Sequence, residues 1–249
     1  MILQYMKSKK GQRFKAGRCI HCLEQSEQIN DDHIFPSAWY PDDTPSDVER
    51  WTVPSCLKCN KDHGINEQEL LIRLGLCISP QDARACGVAA KALRSITPAA
   101  GKSERDKRAR QAKRREILKD VELQDKPPEI GIFPNFGPDP SISYENFMVL
   151  TIKGDRLIKL GKKIVRGLTY HFENRFIEND REEIEVHFVH DRDAVNVVEM
   201  AKRFGQSFHR GPGISVIRAI AGDGSNAGIF IVEIWGRVKF YVTLLPRNE

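Results

Sequence analysis

Two cysteine pairs with identical spacing are the residues best suited to chemistry. Cys19 and Cys22 form the first pair, and Cys56 and Cys59 form the second. Thiolates three residues apart in a tight turn can face one ion, and two such turns complete a closed tetrahedral zinc site. The sequence therefore predicts a structural zinc ion held by all four cysteines.

A redox or free-thiol role is the alternative for these pairs, although neither lies in a thioredoxin-like βαβ pattern. The remaining cysteines, Cys77 and Cys86, lie among apolar residues and are expected to be small buried side chains. Residues 1–18 are basic without an apolar run, which is not the pattern of a secretion signal. We therefore expect a soluble protein of the reducing cytoplasm, without a membrane partner.

Further donors lie next to the cysteine pairs. Asp32 and His33 fall between them, and Asn60 and His63 follow the fourth cysteine. Histidine titrates near neutral pH, so it can accept a proton from water. Carboxylate and amide oxygens suit a hard divalent cation, which thiolates do not. This set is typical of metal-assisted phosphodiester hydrolysis.

The arrangement resembles the zinc-containing branch of the HNH, or ββα-metal, endonucleases. The match consists of two CxxC pairs enclosing an Asp-His-Ile-x-Pro motif that begins at Asp32, with Asn60 directly after the fourth cysteine. It covers roughly residues 18–64. It implies a β-hairpin carrying Asp32 and His33, then a helix that begins near the second pair and presents Asn60 and His63 to the same cleft.

The resemblance also implies roles for these residues. Asp32 and Asn60 become ligands of a single Mg²⁺ or Mn²⁺, His33 the general base and His63 a third ligand. The implied activity is hydrolysis of DNA to a 5′-phosphate and a 3′-hydroxyl, with RNA as the alternative polymer. Phages, mobile elements and bacterial defence systems are the implied settings.

Other interpretations remain open at each position. Asp32 and His33 can form an exposed ion pair, Asn60 can cap the following helix, and His63 can contact phosphate. His21 is expected to be exposed and without a role. Many HNH proteins carry an asparagine shortly before the third cysteine, but residues 50–55 contain none. A zinc-dependent nucleic-acid-binding protein without catalysis is therefore the alternative function.

The elements around these residues predict an α+β fold with a mainly antiparallel sheet in the C-terminal half. Periodicity indicates helices at 67–76, 83–96, 102–120, 162–176 and 194–204. Strands are expected at 147–152, 184–189, 214–220, 228–235 and 238–245. The predicted divisions are a flexible basic arm (1–17), a zinc-bound HNH nuclease domain (18–78), a helical basic segment (79–126), a Pro-rich linker (127–140) and an α+β domain of unknown role (141–249).

The net charge of +5 is unevenly distributed. The helix predicted at 102–120 is strongly basic, and it can either lie along a nucleic-acid backbone or form a solvated face. Residues 141–249 carry no motif with an assignable role; target selection, docking of a protein partner and assembly with a second copy of the chain are the open alternatives. The candidate nucleic-acid-binding residues are Arg105, Arg108, Lys113, Arg114 and Arg115.

Overall fold

The computed structural model describes residues 6–7, 13–126, 133–134 and 147–247. Helices combine with antiparallel sheets, which confirms the predicted α+β class. Most of the predicted linker, and residues 1–5 and 8–12 of the predicted arm, lie outside the described residues. Within the described part, no helix has the length and apolar character needed to cross a membrane.

The first sheet holds both cysteine pairs. Its strands pair antiparallel in chain order: β1 (Met6–Lys7), β2 (Arg13–Arg18), β3 (Gln25–His33) and β4 (Thr52–Cys56). The first pair lies in the turn between β2 and β3. The second spans the junction of β4 with α1 (Leu57–Leu76). Strand β2 includes residues predicted to be a flexible arm, because its backbone pairs with β3.

The helix predicted at 67–76 begins ten residues earlier in the structure, and α1 runs through Gly64. An internal glycine costs a helix only about 1 kcal/mol. Helices α2 (Val88–Ile96) and α3 (Glu104–Lys119) follow. The helix predicted at 83–96 is shorter because Gly87 precedes α2 with φ of 75°, a left-handed conformation that interrupts the helix.

A two-stranded sheet, β5 (Val121–Gln124) with β6 (Phe147–Leu150), leads into α4 (Gly154–Glu173). The remaining elements are β7 (Glu182–His187), α5 (Val195–Phe204), β8 (Gln206–His209), β9 (Ile214–Ile220), β10 (Gly228–Ile234) and β11 (Val238–Pro246). Their five strands form an antiparallel sheet in the order β7-β11-β10-β9-β8.

Helix α4 lies between the first sheet and the five-stranded sheet. One hydrophobic cluster joins Ile34 after β3, Leu70 of α1, Ile164 of α4 and Phe230 of β10. A Cβ atom on Gly167 would lie 2.9 Å from Ile34 Cγ1, so glycine permits the close approach of α4. Alternate residues of β10 face the other way, where Ile231 packs with α5. Side chains of α4 are thereby placed beside the residues between the cysteine pairs.

Candidate functional site

The four cysteines predicted to bind zinc lie together, with all Sγ atoms within 4.8 Å of one another. Cys22 Sγ and Cys56 Sγ are 3.9 Å apart. Zinc–sulfur bonds of about 2.3 Å in a tetrahedron require sulfur separations of about 3.8 Å. The cluster is therefore compatible with the predicted zinc site.

Backbone donors support the thiolate form of Cys19, whereas burial raises the pKa of Cys22 and Cys59. The N–H of His21 donates to Cys19 Sγ, and the N–H of Cys59 donates to Cys56 Sγ, each at 3.4 Å. Burial alone would raise the pKa of Cys19, but hydrogen bonds from the backbone of Cys22, Cys56 and His21 outweigh it and lower the pKa to about 7. A thiolate is the form that binds a metal.

The other two cysteines do not belong to the cluster. The expectation that both are buried is wrong, because Cys77 is exposed at the C-terminal end of α1 and Cys86 is only half-buried. Their apolar neighbours Ile78, Ala85 and Val88 are buried, so the core in these two segments is formed by the flanking residues and not by the cysteines.

A second polar cluster adjoins the cysteines and is centred on His21. Its Nε2 lies 3.1 Å from Asp32 Oδ2, and its side chain is only 5% exposed. The His63 ring packs edge-on against the His21 ring, with 4.3 Å between centroids. The expectation that His21 is exposed and without a role is wrong, because the turn that carries Cys19 and Cys22 folds it inward. Asp32 and His63 are thus brought together around a residue that motif spacing did not single out.

Lys163 of α4 completes this cluster from the C-terminal half of the chain. Its ammonium donates to Asp32 Oδ1 at 3.1 Å, to the His33 carbonyl at 2.5 Å and to the Glu67 carboxylate of α1. Three oxygen acceptors satisfy its three N–H groups, and its side chain is 1% exposed. Neither Lys163 nor Glu67 was predicted. The available signal was a lysine on the apolar face of α4, three residues from Leu160 and one from Ile164.

The cluster keeps Asp32 ionised and His63 neutral near pH 7. Burial opposes ionisation of Asp32, but the His21 hydrogen bond and the Lys163 charge outweigh it, so the pKa is lowered. Burial, then the charges of His21 and Lys163, lowers the pKa of His63 to about 3. For Glu67, burial raises the pKa despite the opposing effect of Lys163. One buried ammonium therefore contacts two carboxylates, that of the buried Asp32 and that of the half-buried Glu67.

His33 lies at the end of β3 and is half-buried. Burial and the charge of Lys163 lower its pKa, so its ring is neutral at pH 7. Its Nδ1 is buried without a hydrogen-bond partner among the described residues. The part of His33 that contacts Lys163 is its backbone carbonyl and not its ring.

Asn60 lies in the first turns of α1 and is half-buried. Its alternative interpretation as a helix cap is wrong, because Cys56 occupies the N-cap and its sulfur accepts from Cys59. Within the described chain, no hydrogen bond joins the Asn60 amide or the His33 ring to Asp32 or His63. The structure therefore gathers Asp32 and His63 closely and leaves the other two side chains at the margin.

The loop that lacks the expected asparagine is held by other contacts. Thr52 is the register partner of His33, and the N–H of Ile34 donates to the Trp51 carbonyl at 2.9 Å. Trp51 is buried and stacks under the Arg210 guanidinium, 3.7 Å from its ring centroid. Strand pairing and the buried Trp51 side chain thus hold the loop in place of the asparagine that many HNH proteins carry there.

The cations predicted on α3 mostly face solvent. Lys113 is half-buried, and its ammonium donates to the Gln68 side chain of α1. Burial lowers the pKa of Lys113. The exposed members of the set are Arg105, Arg108, Arg114 and Arg115.

No family model, no curated protein and no solved structure matches this chain. The resemblance to HNH endonucleases therefore rests on the motif between residues 18 and 64. The four-cysteine cluster is the part of it that the geometry supports directly.

Proposed function

We propose that this protein is a metal-dependent endonuclease of the HNH type that hydrolyses phosphodiester bonds in DNA. The observation that carries the proposal is the convergence of Asp32 of β3 and His63 of α1 on His21, beside a cluster able to hold zinc. The antiparallel strands β3 and β4 are followed by helix α1, and one cysteine pair lies before β3 and the other at the junction of β4 with α1. This order agrees with the resemblance. Motif residues far apart in sequence thus share one small region.

The donor set suits a catalytic Mg²⁺ or Mn²⁺. Each Asp32 oxygen accepts one hydrogen bond and retains a second lone pair. His63 adds a ring nitrogen beside Asp32, and Asn60, one turn earlier on α1, would contribute its amide oxygen from the margin of the cluster, so these three residues would hold the ion. A divalent ion bound there supplies electrostatic stabilisation of the charge that develops on the phosphate and the leaving oxygen.

The chain's own residues supply the remaining chemistry. A neutral His33 ring can take the proton of an attacking water. Lys163 fixes the Asp32 carboxylate and the main chain at His33. The zinc cluster holds the β2–β3 turn against the start of α1, which sets the distance between Asp32 and His63. His21 orients Asp32 through its Nε2.

A specific observation favours a second candidate, a zinc-dependent nucleic-acid-binding protein without catalysis. The Lys163 ammonium already neutralises Asp32 and contacts Glu67, so it competes with a divalent ion for the same carboxylate. Both candidate functions are compatible with the structure of the rest of the motif. A cleavage assay distinguishes the two functions.

The test is incubation of zinc-loaded protein with supercoiled plasmid, linear duplex or single-stranded RNA, in Mg²⁺, Mn²⁺ or EDTA. We expect DNA cleavage that requires the divalent ion and falls at least about 100-fold in His33→Ala, the scale of a lost general base. His190→Ala, at an exposed histidine, is the control and should cleave normally. No cleavage by the unmodified protein, with salt-sensitive binding retained, would contradict the nuclease and favour the second candidate.

A further inference from the structure

A basic cleft of about 600 Å³ lies between the loop that follows β3, helix α2 and helix α3. The charged residues that line it are five cations and one carboxylate: Arg50, Lys91, Arg94, Lys102, Arg110 and Asp42. The other lining residues are mainly small or hydroxyl-bearing, such as Ser37 and Ser95.

Two of these cations already have structural partners. Lys91 pairs with Asp42 at 2.8 Å and also donates to the Tyr40 carbonyl. Arg110 pairs with Asp106 at 3.0 Å and donates to the main chain of α2. These contacts hold the walls of the cleft together.

The other three cations are available to a ligand. Arg50, Arg94 and Lys102 are exposed, and none of them forms an ion pair with a carboxylate within the described ranges. The Arg50 guanidinium lies 5.0 Å from the centre of the Tyr40 ring, which orients it without neutralising its charge. The cleft therefore keeps an uncompensated positive charge on an accessible surface.

The cleft begins where the candidate catalytic strand ends. Ser37 follows His33 by four residues, and Arg50 precedes Thr52, the register partner of His33, by two. The Ile34 to Trp51 hydrogen bond closes the backbone between them. A polymer bound along the cleft would therefore pass the end of β3.

We propose that this cleft binds the phosphate backbone of a DNA duplex and directs it to the site at His33. The inference rests on the proposed nuclease function and adds the path of its substrate. Exposed arginine and lysine side chains neutralise phosphates and release counterions, and hydroxyl groups such as those of Ser37 and Ser95 are common phosphate donors. The segment between residues 79 and 126 then serves to build one wall of the cleft.

The test is DNA binding by the His33→Ala protein, followed by fluorescence anisotropy of a labelled duplex between 50 and 200 mM salt. The variant pair Arg94→Glu and Lys102→Glu should weaken binding at least tenfold and lower the salt slope by about 2, since each lost phosphate contact lowers it by about 0.9. The control pair is Lys202→Glu and Arg203→Glu, exposed on α5 across the five-stranded sheet. It changes the net charge equally and should weaken binding less than threefold.

Equal effects of the two pairs, or unchanged binding by the first, would overturn the proposal. Zinc content and circular dichroism establish folding. If charge reversal prevents folding, Arg94→Gln with Lys102→Gln should give the same change in slope with a smaller loss of affinity.

Plasmid cleavage separates this proposal from the function on which it rests. If the unmodified protein cleaves DNA and the Arg94/Lys102 pair binds and cleaves equally well, the cleft proposal alone fails. If the unmodified protein does not cleave but the pair loses binding, the nuclease proposal fails and the cleft is retained as a DNA-binding surface.

Discussion

At the residue scale, the Lys163 ammonium, the Asp32 and Glu67 carboxylates and the His33 carbonyl form one buried polar group. Each buried charge depends on the others, because an ion withdrawn from water needs both opposite charge and hydrogen-bond partners. Lys163 and Glu67 lie outside the motif, so its spacing could not reveal them. His21 lies inside the motif, but its burial depends on how the cysteine turn folds against α1.

Replacement of Lys163 by methionine should reveal this dependence. The methionine keeps the apolar stem but leaves Asp32 and Glu67 buried without their cation, so the free energy of unfolding should fall by about 3 to 5 kcal/mol. Lys162→Met, at the exposed neighbouring position, is the matched control and should change it by less than about 0.5 kcal/mol. Urea denaturation measures both, and equal losses would contradict the buried ion cluster.

The low pKa of His63 predicts that the free energy of unfolding depends on pH. Its pKa in the folded protein is about 3, whereas an unfolded histidine has a pKa of about 6.5. The unfolded chain therefore binds an extra proton between these values, and the stability from His63 is complete above about pH 6.5 and falls as the pH is lowered. Between pH 7 and 5 the unmodified protein should lose up to about 2 kcal/mol more than His63→Gln.

Denaturation of both proteins in excess zinc, at each pH, measures this difference while keeping the cysteine cluster loaded. Parallel losses of stability in the two proteins would show that His63 is not held in its neutral form.

At the scale of elements, α4 supplies Lys163 to strand β3 and packs Gly167 against Ile34. The sequence predicted α4 from its amphipathic pattern. It also predicted β9, β10 and β11, because their runs of apolar and β-branched residues are long. The strands β5 and β8 have only four residues each and contain polar side chains, whereas the equally short β6 is apolar throughout and was predicted. The position of α4 over the motif depends on packing between distant segments, which local patterns do not encode.

Enlargement of Gly167 should separate α4 from β3. In Gly167→Val, the added atoms would meet Ile34, whose Cγ1 lies 2.9 Å from the position of a Cβ. Overpacking of this kind costs about 1 to 3 kcal/mol. Gly154→Val, where a Cβ would meet nothing within 4 Å, is the control. Thermal unfolding compares them, and equal midpoints would argue against the close contact.

At the scale of the whole molecule, one hydrophobic cluster joins residues from both ends of the chain, and the four-cysteine cluster joins the β2–β3 turn to the start of α1. The cysteine spacing predicted the four-cysteine cluster, because two CxxC turns can supply the four ligands of one tetrahedral ion. It could not predict that the predicted nuclease unit and the C-terminal sheet share their core. The bidentate contact of Arg18 with Glu178, at 2.6 and 2.8 Å, adds a polar link between the two.

Zinc should therefore be required for the folded state. We expect one zinc ion per chain by mass spectrometry, and we expect Cys19→Ser and Cys56→Ser each to release it and lower the unfolding temperature, since metal-binding energy contributes to folding. Cys77→Ser, outside the cluster, should keep both zinc and stability. Thiol–disulfide exchange without bound zinc would instead support a redox role.

We propose that the site around Asp32 hydrolyses DNA. The most direct test is the single-turnover cleavage rate of a labelled duplex in Mn²⁺, for the unmodified protein, Asp32→Asn and the control Asp193→Asn at an exposed position, all at equal zinc content. We predict that Asp32→Asn binds the duplex but cleaves it at least about 100-fold more slowly, because it lacks the charge that holds a divalent ion, while the control matches the unmodified protein. Equal rates for all three proteins would place the chemistry elsewhere.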